Sequence, residues 1–250
     1  MALPAAFSSF PSLDTYPAIN YRFNRPDDLG LFDYLCGPTG DGFVGGHDAP
    51  TVANAATSSF PFGSVTLGSG STASGAFVQM QEDCLWTLSS RTNKLYEWLF
   101  QVQLSSATLT LACVGVAPAI TAATGAMAGN ITSGFGAYAN LVGGASATNW
   151  TFFVCNGATS QLAPSASFVG PACDTSVHTM GIYYLTDPST LGAGQMYFTW
   201  DGVQQGNGYS SSSSAIFPSS TAMGMFAAGG NGSAAAQTLI VGEMAMFGRR

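Results

Sequence analysis

Residues 96 to 104 read Tyr-Glu-Trp-Leu-Phe-Gln-Val-Gln-Leu, and this alternation leaves little choice of backbone. An extended chain puts Tyr96, Trp98, Phe100, Val102 and Leu104 on one face and Glu97, Gln101 and Gln103 on the other. A helix would scatter the same side chains around its axis. The segment is therefore expected to be a half-buried antiparallel strand.

Other runs follow the same rule. Thr108 to Val116 is apolar on both faces, as a central strand should be. Trp150 to Cys155, His178 to Leu185, Gln195 to Trp200 and Thr238 to Phe247 are further strands. Asp201-Gly202 is a tight-turn dipeptide, after which Val203 resumes a short strand. Ala76 to Gln81 and Leu85 to Leu88 form a weaker pair. The 31 glycines and 12 prolines recur throughout and leave no room for long helices. The connections 118–148 and 204–222 are read as loops, with Ser210 to Ser214 as low-complexity surface chain. The fold class this implies is all-β: an antiparallel jelly-roll β-sandwich over residues 26–250, with an extended N-terminal arm over residues 1–25.

Charge is the unusual component. Only 8% of residues are Asp, Glu, Lys or Arg, against about 25% in an ordinary domain. From Trp98 to Cys173 there is none. Either neighbouring subunits occupy much of the surface, or Ser, Thr, Asn and Gln solvate it. Six basic residues in a chain of net charge −7 build no concentrated positive surface, so nucleic acid is not an expected partner. No basic amphipathic helix or apolar run of spanning length is visible, so neither is a membrane. The start, Met-Ala-Leu-Pro-Ala-Ala-Phe, lacks the basic and apolar regions of a signal peptide, which points to synthesis in a cytoplasm.

Chemistry-bearing residues are sparse. The five cysteines form no C-x-x-C pair; Cys113 and Cys155 lie in apolar runs and read as buried thiols. Glu97 and Glu243 each stand alone in an apolar strand and would form a carboxylate pair only if those strands met. His47 and His178 are the two histidines, and no nucleophile elbow accompanies them. Asp187 and Asp201 are the candidates for a hard cation, without the calcium-loop pattern. No catalytic, cofactor-binding or metal residues are assigned, and the chain is not expected to be an enzyme.

The order of the later elements carries a resemblance. Cys113-Val-Gly-Val-Ala117 is followed by Trp150-Thr-Phe-Phe, then Met180-Gly-Ile-Tyr-Tyr, then Met196-Tyr-Phe-Thr-Trp-Asp-Gly-Val203, and finally Leu239 to Arg250. This set resembles the concanavalin A-like (laminin-G-like) jelly rolls in structural proteins of tailed bacteriophages, over about residues 74–250. The resemblance implies a virion protein on the outer capsid surface: a capsid decoration, or cement, protein. Its partners would be the major capsid protein and itself, as a homo-oligomer of trimeric type. Two departures are the scarcity of charge in the penultimate strand and the unmatched first 25 residues.

Those first residues set aromatics among Pro, Ser and Asn without a regular period. They either pad their own sandwich or reach a neighbour. In the second case Phe7, Phe10, Tyr16, Tyr21, Arg22, Phe23 and Arg25 would be the capsid or subunit contact. The alternative function is a glycan-binding module of a phage tail fibre or capsid surface, meeting host-surface glycans. Its stacking residues would be Trp200 beside Asp201 and Tyr209 with Asn207, although alternation with Phe198 and Met196 favours a core position for Trp200.

Overall fold

The computed structural model describes residues 21–22, 43–47, 52–54, 65–69, 75–80, 95–118, 120, 129–140, 148–161, 164, 166–186, 194–211, 217–218, 222–231 and 237–249. Every regular element among them is a β-strand. They are β1 (Tyr21–Arg22), β2 (Phe43–His47), β3 (Val52–Asn54), β4 (Val65–Ser69), β5 (Gly75–Met80), β6 (Leu95–Leu104), β7 (Thr110–Ala117) and β8 (Ser133–Ala139). Then follow β9 (Asn149–Asn156), β10 (Ala166–Ala172), β11 (Val177–Thr186), β12 (Gly194–Trp200), β13 (Val203–Ser211), β14 (Gly224–Asn231) and β15 (Gln237–Arg249). None of the described residues forms a helix able to cross a membrane.

The strands make two antiparallel sheets. An eight-stranded sheet runs β13-β12-β11-β6-β15-β4-β3, with β1 paired to β15. A seven-stranded sheet runs β10-β9-β8-β7-β14-β5-β2. In chain order the strands change sheet from β1 to β2, β2 to β3, β4 to β5, β5 to β6, β6 to β7, β10 to β11, β13 to β14 and β14 to β15. Its two central pairings, β6 with β15 and β7 with β14, therefore join distant parts of the sequence. This is the all-β sandwich that the alternating runs predict.

The main core lies between the sheets. Trp98, Phe100, Val102 and Leu104 of β6 meet Val114 and Val116 of β7, Phe135 of β8 and Phe152 and Val154 of β9. Phe152 is the centre of an aromatic group, with ring centroids 4.8 Å from Phe168 and 5.0 Å from Phe198. Burying one such side chain contributes about 2–3 kcal/mol from area alone.

A second apolar cluster covers the opposite face of the seven-stranded sheet. It contains Phe77, Leu111, Cys113, Ala117, Ile131, Tyr138, Phe153, Cys155, Phe226 and Ala228. Strands β7, β8 and β9 are thus buried on both sides. Here lies the physical reason for most of the charge-free stretch from Trp98 to Cys173. Strands without a solvent face have no place for an uncompensated charge.

Two glutamines hold connecting chain onto that second face. Gln79 Nε2 donates to the carbonyls of Ala117 (3.1 Å) and Pro118 (2.8 Å), and its Oε1 accepts from Ile120 N at 2.6 Å. Gln161 accepts from Ile131 N at 3.2 Å and donates to Cys113 Sγ at 2.9 Å. Both amides are buried, and each acts as a polar clamp inside an apolar layer.

The structure corrects several sequence expectations. The stretch 118–148 is not all loop, since it contains β8. The stretch 204–222 is not all loop either: β13 runs to Ser211, so Ser210 and Ser211 belong to a strand. Strands β10 and β14 also went unread. Leu85 to Leu88 lies outside the described residues.

Candidate functional site

Strands β11 and β12 pair with Met180 opposite Trp200. One step further, the β12–β13 turn begins at Asp201. Asp201 and Gly202 have φ of 50° and 78°, both positive as a type I′ hairpin turn requires. This geometry ties Asp201 to the start of β11: Asp201 N donates to Thr179 O at 2.8 Å, and Thr179 N donates to Asp201 Oδ1 at 2.8 Å.

His178 precedes Thr179 and completes the site. Its Nδ1 lies 2.7 Å from Asp201 Oδ2, and its Nε2 lies 2.9 Å from Asp174 Oδ1. Asp174 sits four residues before His178, on the connection from β10, where its Oδ1 also accepts from Ser176 N at 2.6 Å. The imidazole is 17% exposed, while the two carboxylates are 52% and 50% exposed. Its ring lies 4.9 Å from that of Trp200, which in turn lies 5.1 Å from that of Trp150. The result is a histidine clipped between two half-exposed acids, on an aromatic floor, at one end of the eight-stranded sheet.

The electrostatics follow from the contacts. Burial pulls the His178 pKa down, but the hydrogen bonds and charges of Asp201 and Asp174 outweigh it, and the net displacement is upward from 6.5. At Asp174 burial pulls upward, and the hydrogen bonds of His178 and Ser176 with the imidazolium charge overcome it, leaving the carboxyl below 3.8.

Both imidazole nitrogens face acids, so neither is available as a base for a hydroxyl or thiol. Each Asp201 oxygen accepts one hydrogen bond within the clip, and Asp187, its proposed companion for a cation, lies outside the described residues. Among the described residues no three His, Cys, Asp or Glu side chains are placed to hold one metal ion.

Glu97 and Glu243 do lie on paired strands, since β6 and β15 are neighbours. Glu97, however, stands opposite Phe247, and Glu243 falls in a bulge beside Gln101. Four residues of strand separate them, about 13 Å at the usual rise. Glycosidase carboxyl pairs stand about 5–10 Å apart.

Of the residues proposed for stacking a sugar, Trp200 takes the core position that its alternation favours, and Tyr209 is half-buried. Trp200 is 5% exposed and belongs to the core with Phe152 and Trp150. The Tyr209 ring packs on Phe168 and Phe198, and burial pushes its phenol above the ordinary range. Period-two alternation with Met196 and Phe198 is the signal that puts Trp200 inside.

Of the proposed contact residues, Phe7, Phe10, Tyr16, Phe23 and Arg25 lie outside the described residues. Tyr21 and Arg22 form β1 and pair through their backbone with Met246 and Ala245 of the same chain.

No family model matches the chain, and neither does any curated protein. Solved structures do. The carbohydrate recognition domain of Emp47p superposes with a TM-score of 0.54 at 14% identity, covering 87% of this chain and 96% of that one. The lectin UEA-II complexed with galactose gives 0.57 at 12% identity, covering 93% and 99%. Lectin II from Ulex europaeus gives 0.56 at 12% identity over the same shares. The sandwich has the concanavalin A-like fold. At such identities the likeness establishes the concanavalin A-like architecture and leaves function to the residues.

Proposed function

We propose that this chain is a non-catalytic glycan-binding domain. The observation that carries the reading is the end-to-end match of its sandwich to carbohydrate recognition and lectin domains. The clip at the end of the eight-stranded sheet supplies a suitable surface. Asp174 and Asp201 present half-exposed carboxylate oxygens fixed in advance by His178 and by backbone amides. Fixed acceptors bind sugar hydroxyls without the ordering cost of mobile side chains. With two acids and one imidazolium the clip is net negative, and so is the chain at −7. The ligand is therefore a neutral glycan, since a sialylated or sulfated one would be repelled.

A glycan microarray probed with the whole chain tests this. Retention on neutral glycans, lost in Asp174→Asn and Asp201→Asn variants that keep the wild-type circular dichroism, supports the reading. An empty array refutes it.

A second reading keeps the phage resemblance: a capsid decoration protein on the outer virion surface, trimeric and bound to the major capsid protein. One observation favours it. The exposed large apolar side chains among the described residues are Leu109, Val169, Leu185 and Val203, none of them an aromatic platform for sugar stacking. Light scattering of the chain alone and co-sedimentation with purified shells test it; a monomer that stays in the supernatant rules it out.

A further inference from the structure

We infer that the Asp174–His178–Asp201 bridge is a proton-operated latch, closed only while His178 is an imidazolium, and that raising the pH frees the Asp174–Ser176 turn. Donor and acceptor chemistry requires this. An ionised carboxylate only accepts, and a neutral imidazole has one N–H. With Nδ1 2.7 Å from one carboxylate and Nε2 2.9 Å from another, a neutral ring would point a lone pair at an anion whichever tautomer it adopted. The bridge as built needs both nitrogens protonated.

The two acids are not equally anchored, which gives the latch a direction. Asp201 is fixed by three further constraints: its Oδ1 accepts from Thr179 N, its own amide donates to Thr179 O, and it opens a tight turn. Beyond His178, the hydrogen bonds described for the Asp174 carboxylate stay within its own turn, to Ser176 N. The turn's remaining ties to the sandwich are Gln103 Nε2 to Thr175 O at 2.8 Å and Cys173 N to Thr148 O at 2.8 Å. When the ring loses a proton, the remaining N–H stays on Asp201 at Nδ1, and Asp174 lets go.

Among the described residues no other charge competes. Val102 stands opposite His178 on β6, flanked by Gln101 and Gln103, and β12 contributes Trp200. Beside the turn, Cys173 is a thiol that burial pushes up to about 12, so it is neutral throughout. Glu97 lies five residues further along β6 on the opposite face of the sheet. The upward displacement of His178 agrees with the geometry. The latch contributes fully below the ordinary imidazole value of 6.5 and is lost as the pH rises through the raised one. At the acid end it is lost as the pH falls through the lowered Asp174 value.

Histidine-selective nitrogen NMR on the whole chain tests this without any ligand, so its outcome is independent of the glycan reading. The chain has two histidines, and a His47→Gln variant assigns them. The expected result is a His178 titration midpoint above 6.5, with both ring nitrogens protonated below it. The midpoint should fall in Asp174→Asn and in Asp201→Asn. In the wild type the amides of residues 174–176 should shift with the titration more than the Asp201 amide does. A midpoint at or below 6.5, or one that neither variant lowers, overturns the proposal. If a variant does not fold, the wild-type nitrogen shifts and amide titration still decide it.

Discussion

Glu97 of β6 stands directly opposite Tyr183 of β11, and the tyrosine hydroxyl hydrogen-bonds the buried carboxyl. Glu97 is only 2% exposed, and among the described residues its Oε1 has no hydrogen-bond partner. Around it the outward face of the eight-stranded sheet buries Leu99, Tyr197 and Thr199. Burial raises the Glu97 pKa from 4.5 to about 7, against a smaller lowering by Tyr183.

This placement makes Glu97 a destabilising group at alkaline pH. Its folded-state pKa is raised, so the folded protein holds a proton that the unfolded chain releases. Its influence is absent below pH 4.5, grows as the pH rises to about 7, and is constant above. Glu97→Gln should therefore match the wild type near pH 4.5 and be more stable at pH 8 by about 1–3 kcal/mol. Urea denaturation of both proteins at the two pH values checks this. Equal stability at pH 8 would mean that the carboxylate is solvated.

The aromatic group under the clip predicts a steep cost of truncation. Phe152 contacts the rings of Phe168, Phe198 and Trp200 between the sheets. Phe152→Ala should lose about 3–5 kcal/mol, the usual range for removing a buried phenyl ring. Chemical denaturation monitored by tryptophan fluorescence measures it. A loss under 1 kcal/mol, small against the ~3–5 kcal/mol expected, would show that the site is not packed as described.

The clamp at Gln79 predicts a polar cost. Gln79→Ala removes the partners of the Ala117 and Pro118 carbonyls and of the Ile120 amide. Leaving such groups unmade in an apolar layer costs about 1–3 kcal/mol. Hydrogen exchange at Ile120 should also accelerate, while exchange in β11 should not. Unchanged exchange at Ile120 would place the clamp's effect elsewhere.

The sequence makes the apolar strands legible and hides the glycine-rich ones. Strand β6 alternates large and polar residues, so its face assignment follows from order alone. Strand β8 reads Ser-Gly-Phe-Gly-Ala-Tyr-Ala, which resembles a loop by composition. Its glycines answer a steric demand from the next strand. Gly136 stands opposite Gly115 of β7, and a Cβ on either would collide with a backbone carbonyl across the pair, Val114 or Phe135. No local pattern reveals that demand, because the partner lies 21 residues away.

The clip was half legible. The Asp201-Gly202 turn and the strands flanking it follow from the sequence, and pairing them places Thr179 beside Asp201. The role of Asp174 does not follow, because it depends on how the connection from β10 crosses to the other sheet. The burial of the charge-free strands is hidden for a similar reason. The second apolar cluster on the outside of the seven-stranded sheet cannot be seen until the strands are placed in order.

The most direct test of the account is amide chemical-shift mapping of the labelled chain as a mixture of neutral oligosaccharides is added at pH 6, where the clip is closed. The account predicts saturable shifts grouped at residues 174–179 and 201–203, and their loss in Asp174→Asn. An absence of shifts at any residue, or shifts grouped on another face of the sandwich, would contradict it.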